Sequence, residues 1–114
     1  MDKLLEQSLL YDFYGELLTS HQKKIYEQYI IEDLSLSEIA KEEGISRQGV
    51  HDLVKRCIKI LEGYESKLSL VEKFVKIKDK VNQIQQLTKS DEEIKDKEVI
   101  QHIRTLSDEI IEEL

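Results

Sequence analysis

Apolar residues recur along most of the chain at intervals of three and four, the signature of helices with one inward face. Leu4, Leu5, Leu9, Leu10, Phe13, Tyr14, Leu17 and Leu18 form the first stripe, on a helix broken near Gly15 and expected to serve as core. Thr19 then caps a second helix. Gln22, three residues on, reaches back to the cap's amide, and Ile25, Tyr26, Tyr29 and Ile30 supply the stripe. The stretch 31–34 ends it. Ser35 and Glu38 repeat the same capping logic for a short helix that runs to Glu43. Gly44 stops that helix, because a left-handed position beyond a helix end tolerates glycine best. Ser46 caps a longer helix whose inner stripe is Val50, Leu53, Val54, Cys57, Ile58 and Leu61.

After Gly63 and Tyr64 the helical pattern is expected to resume with a narrower seam. Leu70, Phe74, Ile77, Val81 and Ile84 alternate by four and three, as the a and d positions of a coiled coil do. Thr88, Lys89 and Ser90 mark a break. Ser90 and Glu93 form a third capping box, with acids in its first turn to complement the helix dipole. Val99, Ile103, Leu106 and Ile110 line the last helix, and Ile100 and Ile111 widen its stripe. The pattern predicts an all-α fold: a helical domain over 1–65 that contains a helix-turn-helix at 35–61, and a C-terminal helical hairpin extension over 66–114. The absence of proline from 114 residues agrees with long helices. An apolar hairpin seeks a partner surface, either the N-terminal half or a second copy of the chain, and a homodimer through these C-terminal helices is expected.

The segment 35–61 carries the most information. A short capped helix, a tight turn and a longer capped helix make a helix-turn-helix only when certain positions satisfy its sterics. Ala40 is small where the second helix crosses the first. Gly44 permits the reversal. Ile39, Ile45, Val50 and Leu53 fill the wedge between the helices.

Composition then removes other classes. Apolar runs never exceed three residues, far below the ~20 of a membrane helix, so no membrane span is expected. The opening residues lack a basic region ahead of an apolar one, so no secretory signal is read and a cytoplasmic protein is expected. One cysteine, Cys57, excludes an internal disulfide, and His21, His51 and His102 are scattered without metal-ligand spacing. Neither a nucleophile–base set nor a phosphate-binding loop is present, so neither catalysis nor a cofactor is expected. The net charge of −7 argues against indiscriminate nucleic-acid binding. Residues 46–61 reverse that sign, with Arg47, Lys55, Arg56 and Lys59 against the single acid Asp52.

Residues 18–61 resemble region 4 of the sigma-70 class, the helix-turn-helix that reads the −35 promoter element. The resemblance rests on the opening Leu18-Thr19 with Gln22, the entry Leu34-Ser35-Leu36-Ser37-Glu38-Ile39-Ala40 and the turn Gly44-Ile45-Ser46 with Val50. Gly49 stands where the sigma pattern usually has threonine or alanine. It lowers helix propensity by about 1 kcal/mol relative to alanine, and would allow close approach to the first helix or to a phosphate. The chain has no room for the other sigma domains, so a complete sigma factor is not expected. The fuller match, through Arg47-Gln48-Gly49-Val50-His51-Asp52 and the acidic helical tail, resembles the YlxM family of small bacterial proteins. Members are encoded beside genes of the signal recognition particle. The resemblance therefore implies a regulatory protein linked to that targeting pathway.

With Val50, Leu53 and Val54 turned to the core, conventional docking points Arg47, Gln48, His51, Asp52 and Lys55 at the major groove. Arg47 and Gln48 are the candidate base readers, since arginine grips guanine and glutamine grips adenine with paired hydrogen bonds. His51 suits a base or a phosphate. Lys55, Arg56 and Lys59 are expected to position the helix on phosphates. Asp52 either accepts from cytosine or pairs with Lys55 or Arg56 along the helix. Lys73, Lys76, Lys78 and Lys80 read as charges flanking a helical seam, with a second phosphate-facing stripe as the alternative. Two functions stay open: a small DNA-binding regulator, and a protein- or ribonucleoprotein-interaction adaptor of the signal recognition particle system.

Overall fold

The structure is a computed structural model, and it describes residues 2–88 and 97–114. Every regular element among them is helical. The elements are α1 (Lys3–Tyr14) with a 3-10 turn at Gly15–Leu17, α2 (Ser20–Tyr26) widening into a π turn at Glu27–Ile31, α3 (Leu36–Glu43), α4 (Arg47–Leu68), α5 (Leu70–Leu87) and α6 (Lys97–Glu113). They form two compact units, residues 1–69 and 70–114.

In the first unit, local chemistry sets the helix starts. Thr19 Oγ1 accepts from the Gln22 amide while the Gln22 side chain accepts from the Thr19 amide, and Ser35 and Glu38 exchange the same two bonds. Ile25 of α2, Ile39 of α3, and Val50 and Val54 of α4 form the buried centre of the helix-turn-helix, with Leu36, Ala40, Ile45 and Leu53 packed around it. Gln28, buried in the π turn, donates from Nε2 to Glu42 Oε2 and Glu43 Oε1, both at 3.3 Å, and so clamps the last turn of α3.

Helix α1 closes this core from outside, and tyrosines fasten it. Tyr26 Oη donates to the Gln7 carbonyl at 2.7 Å, Tyr14 Oη to Glu65 at 2.6 Å, and Tyr11 Oη to Glu27. Tyr11 also stacks on Tyr26 with centroids 5.1 Å apart. The expectation that the whole first stripe is core is corrected here. Leu10, Tyr14 and Leu18 are buried, whereas Leu4, Leu5 and Leu17 are each more than half exposed. The six stripe positions on α1 itself cover a wider arc than one helix face can bury against α4 and the π turn, and Leu17 lies beyond α1 in the 3-10 turn.

Helix α4 also departs from expectation, because it passes Gly63 without a break and ends at Leu68. Ser69 takes the left-handed cap position, with φ 56°. In the second unit α5 and α6 pack as an antiparallel pair, with Lys80 2.8 Å from Glu109 and Lys76 4.0 Å from Glu113. Val71 and Leu106 are buried, and Ile77, Ile84, Val99, Ile103 and Ile110 are half-buried. The third capping box, Ser90 to Glu93, lies outside the described residues.

Candidate nucleic-acid interface

The turn between α3 and α4 sets the candidate interface. Gly44 adopts φ 69° and ψ 30°, and its amide donates to the Ala40 carbonyl, so the chain leaves α3 through a left-handed position. Two residues later Ser46 Oγ accepts from the Gly49 amide at 2.9 Å and starts α4. Gly49 has a local reason to be glycine: a Cβ there would lie 3.1 Å from that capping hydroxyl. The close approach is made by the helix's own cap, not by the first helix.

Every sequence-predicted site residue comes to one side of α4. Arg47, Gln48, His51, Lys55, Arg56 and Lys59 are all exposed, while Val50, Val54, Cys57 and Leu61 on the opposite side are buried. At about 100° and 1.5 Å per residue, Arg47 to Lys59 covers about half the helix circumference and about 18 Å of its length, with Gln48, Lys55 and Lys59 near the middle. Four basic residues and two hydrogen-bonding ones therefore share a continuous, solvent-facing strip.

The strip's charge is available to a ligand. Among the described residues no carboxylate lies within ion-pair distance of Arg47, Lys55, Arg56 or Lys59. The nearby acids of α3 are engaged elsewhere: Glu43 meets Lys24 Nζ at 3.1 Å, and Glu42 accepts from Gln28. The Lys24 contact holds the Glu43 carboxyl below its usual range and raises the Lys24 ammonium. Asp52 pairs differently from expectation. Its Oδ1 accepts from Gln48 Nε2 at 3.0 Å and lies 3.6 Å from His51 Nδ1, so it engages the preceding turn instead of Lys55 or Arg56.

Three of the four lysines of α5 have internal roles. Lys76 pairs with Glu72, Lys80 with Glu109, and Lys78 sits 5.9 Å above the Phe74 ring. His21 and His102 are exposed, and Cys57 is fully buried, where desolvation pushes its thiol pKa up. No helix among the described residues is long and apolar enough to cross a membrane.

The family described as "Putative helix-turn-helix protein, YlxM / p13 like" (UPF0122) matches residues 1–104. The chain belongs to that family. Its relatives include a UPF0122 protein of Acetivibrio thermocellus, 40% identical over 116 residues, with 98% of this chain and 99% of the relative covered. One from Thermoanaerobacter sp. (strain X514) is 42% identical over 113 residues, covering 99% and 94%. The UPF0122 protein YlxM of Bacillus subtilis is 43% identical over 97 residues, covering 82% and 88%. A likeness confined to the helix-turn-helix would span only 35–61. The UPF0122 match starts ahead of α2 and ends inside α6, so the family pattern includes α1 and much of the C-terminal pair as well.

Proposed function

We propose that the protein is a small cytoplasmic DNA-binding regulator that lays the first turns of α4 in the major groove. One observation carries this reading: the exposed strip of Arg47, Gln48, His51, Lys55, Arg56 and Lys59 reverses the sign of an acidic chain on a helix-turn-helix built to present it. In this docking Arg47 and Gln48 read base edges, His51 contacts a base or phosphate, and Lys55, Arg56 and Lys59 grip phosphates. Three or four phosphate contacts give one module weak affinity. A homodimer through the C-terminal helices, where Val81, Ile100 and Ile111 remain exposed, supplies a second recognition helix about 34 Å away on a two-fold site.

Titration of the full chain against promoter fragments tests this. Arg47→Ala and Gln48→Ala together should abolish sequence preference, while Lys55→Ala should weaken all sequences alike. Flat titrations of the wild type and every variant would remove the reading. A second reading is an adaptor of the signal recognition particle system, favoured by the net charge of −7 and by exposed Leu4, Leu5 and Leu17. Recovery of that particle's GTPase in a pull-down, insensitive to nuclease and to the Arg47 change, would support the adaptor instead.

A further inference from the structure

We propose that Asp52 is the positioning residue that makes Gln48 a reader of adenine and closes it to guanine. This rests on the interface reading above and adds to it the partner and the base. A carboxylate only accepts hydrogen bonds, so the 3.0 Å contact to Asp52 Oδ1 requires the Nε2 end of the Gln48 amide, and Gln48 Oε1 occupies the other side. The Gln–Asp pair at i and i+4 lies across one turn of α4, so it forms before any ligand arrives. His51 Nδ1, 3.6 Å from the same oxygen, is beyond hydrogen-bond reach and leaves the bond to Gln48.

The bond changes what Gln48 can offer. A free glutamine amide has two N–H donors and one acceptor oxygen. Asp52 takes one donor, leaving one donor and one acceptor. Adenine's major-groove edge presents an acceptor at N7 and a donor at N6, and the remaining pair of groups complements it. Guanine presents two acceptors, N7 and O6, and satisfying both would require the N–H that Asp52 holds. Asp52 also carries charge toward phosphates and therefore lowers affinity for any DNA. The same side chain thus trades overall affinity for discrimination.

Selection from a random-sequence double-stranded DNA pool by the full chain, followed by titration of the enriched duplex and its adenine-to-guanine counterpart, tests the inference. Gln48→Ala should remove an adenine preference at one base step. Asp52→Ala should bind both duplexes more tightly yet cut the adenine-over-guanine ratio about 1.5- to twofold. Asp52→Asn keeps an acceptor without the charge, so it should bind more tightly and retain the ratio. An unchanged ratio in Asp52→Ala, a loss in Asp52→Asn equal to that in Asp52→Ala, or a Gln48-dependent preference for guanine each overturns the role of Asp52 while leaving the interface reading in place. Failure of the wild type to enrich any sequence overturns both.

Discussion

The start of α4 offers a quantitative test, because its cap Ser46 and its third residue Gly49 compete for the same space. Ser46 Oγ holds the Gly49 amide at 2.9 Å, and a methyl group on residue 49 would lie 3.1 Å from that oxygen, inside the roughly 3.3–3.6 Å of a weak C–H···O contact. Gly49→Ala relieves a propensity deficit of up to about 1 kcal/mol. It also presses the cap hydroxyl back by a few tenths of an ångström, weakening a bond typically worth about 1 kcal/mol. The two effects oppose each other in the wild type. Once Ser46→Ala has removed the hydroxyl, at a cost of about 1 kcal/mol, Gly49→Ala should recover most of that loss. The double-mutant cycle should therefore show a coupling above about 0.3 and up to about 1 kcal/mol. Urea unfolding followed by tyrosine fluorescence is suited to the measurement, since all five tyrosines lie within residues 1–69 and there is no tryptophan. With a slope of about 1–3 kcal/mol per molar urea, 1 kcal/mol moves the midpoint by about 0.3–1 M. Additivity of the two changes within about 0.3 kcal/mol would refute the steric reasoning.

Other substitutions probe the scaffold separately. Ile39 is fully buried between α2 and α4, so Ile39→Ala should cost about 2–5 kcal/mol in the same unfolding assay; a cost below 1 kcal/mol would contradict the assigned core. Gly44→Ala meets no atom within 4 Å, so its cost should be conformational, about 1–2 kcal/mol, with Gly44→Asn milder. The Ser35 amide and hydroxyl hold the Glu38 carboxyl below its ordinary 4.5, and the Lys24 ammonium does the same for Glu43. Both folded values lie below the unfolded ones, so their stabilisation is complete above about pH 4.5 and disappears as pH falls through the folded values. Urea midpoints should drop between about pH 5 and 3, and Glu38→Gln, which keeps the capping geometry, should flatten that slope. A midpoint that rises on acidification would have the wrong sign.

Local chemistry was legible in the residues. Thr19, Ser35, Ser46 and Gly44 act on neighbours within four positions, so their roles follow from spacing alone, and the structure shows each in place. The outward strip of α4 was equally readable, because Val50, Val54, Cys57 and Leu61 fix which side must be buried. Gly63 misled for a physical reason: one glycine costs about 1 kcal/mol in a helix, less than packing on either side of it supplies, and no other breaker accompanies it. The sequence reading pairs Asp52 forward along the helix with Lys55 or Arg56, whereas Gln48, four residues back and equally in reach, holds its Oδ1. Bonds such as Tyr11 to Glu27 and Tyr14 to Glu65 join residues 16 and 51 positions apart, and no local pattern encodes such pairs. The same holds for the Gln28 clamp on Glu42 and Glu43, across 14 and 15 positions.

The salt dependence of duplex binding tests most directly whether the α4 strip faces a polyanion. For the wild type, log affinity against log salt should fall with a slope of roughly −3, and Lys55→Ala should make it shallower by about one. A wild-type slope near zero, or one unchanged when Arg47, Lys55, Arg56 and Lys59 are all replaced by alanine, would contradict it.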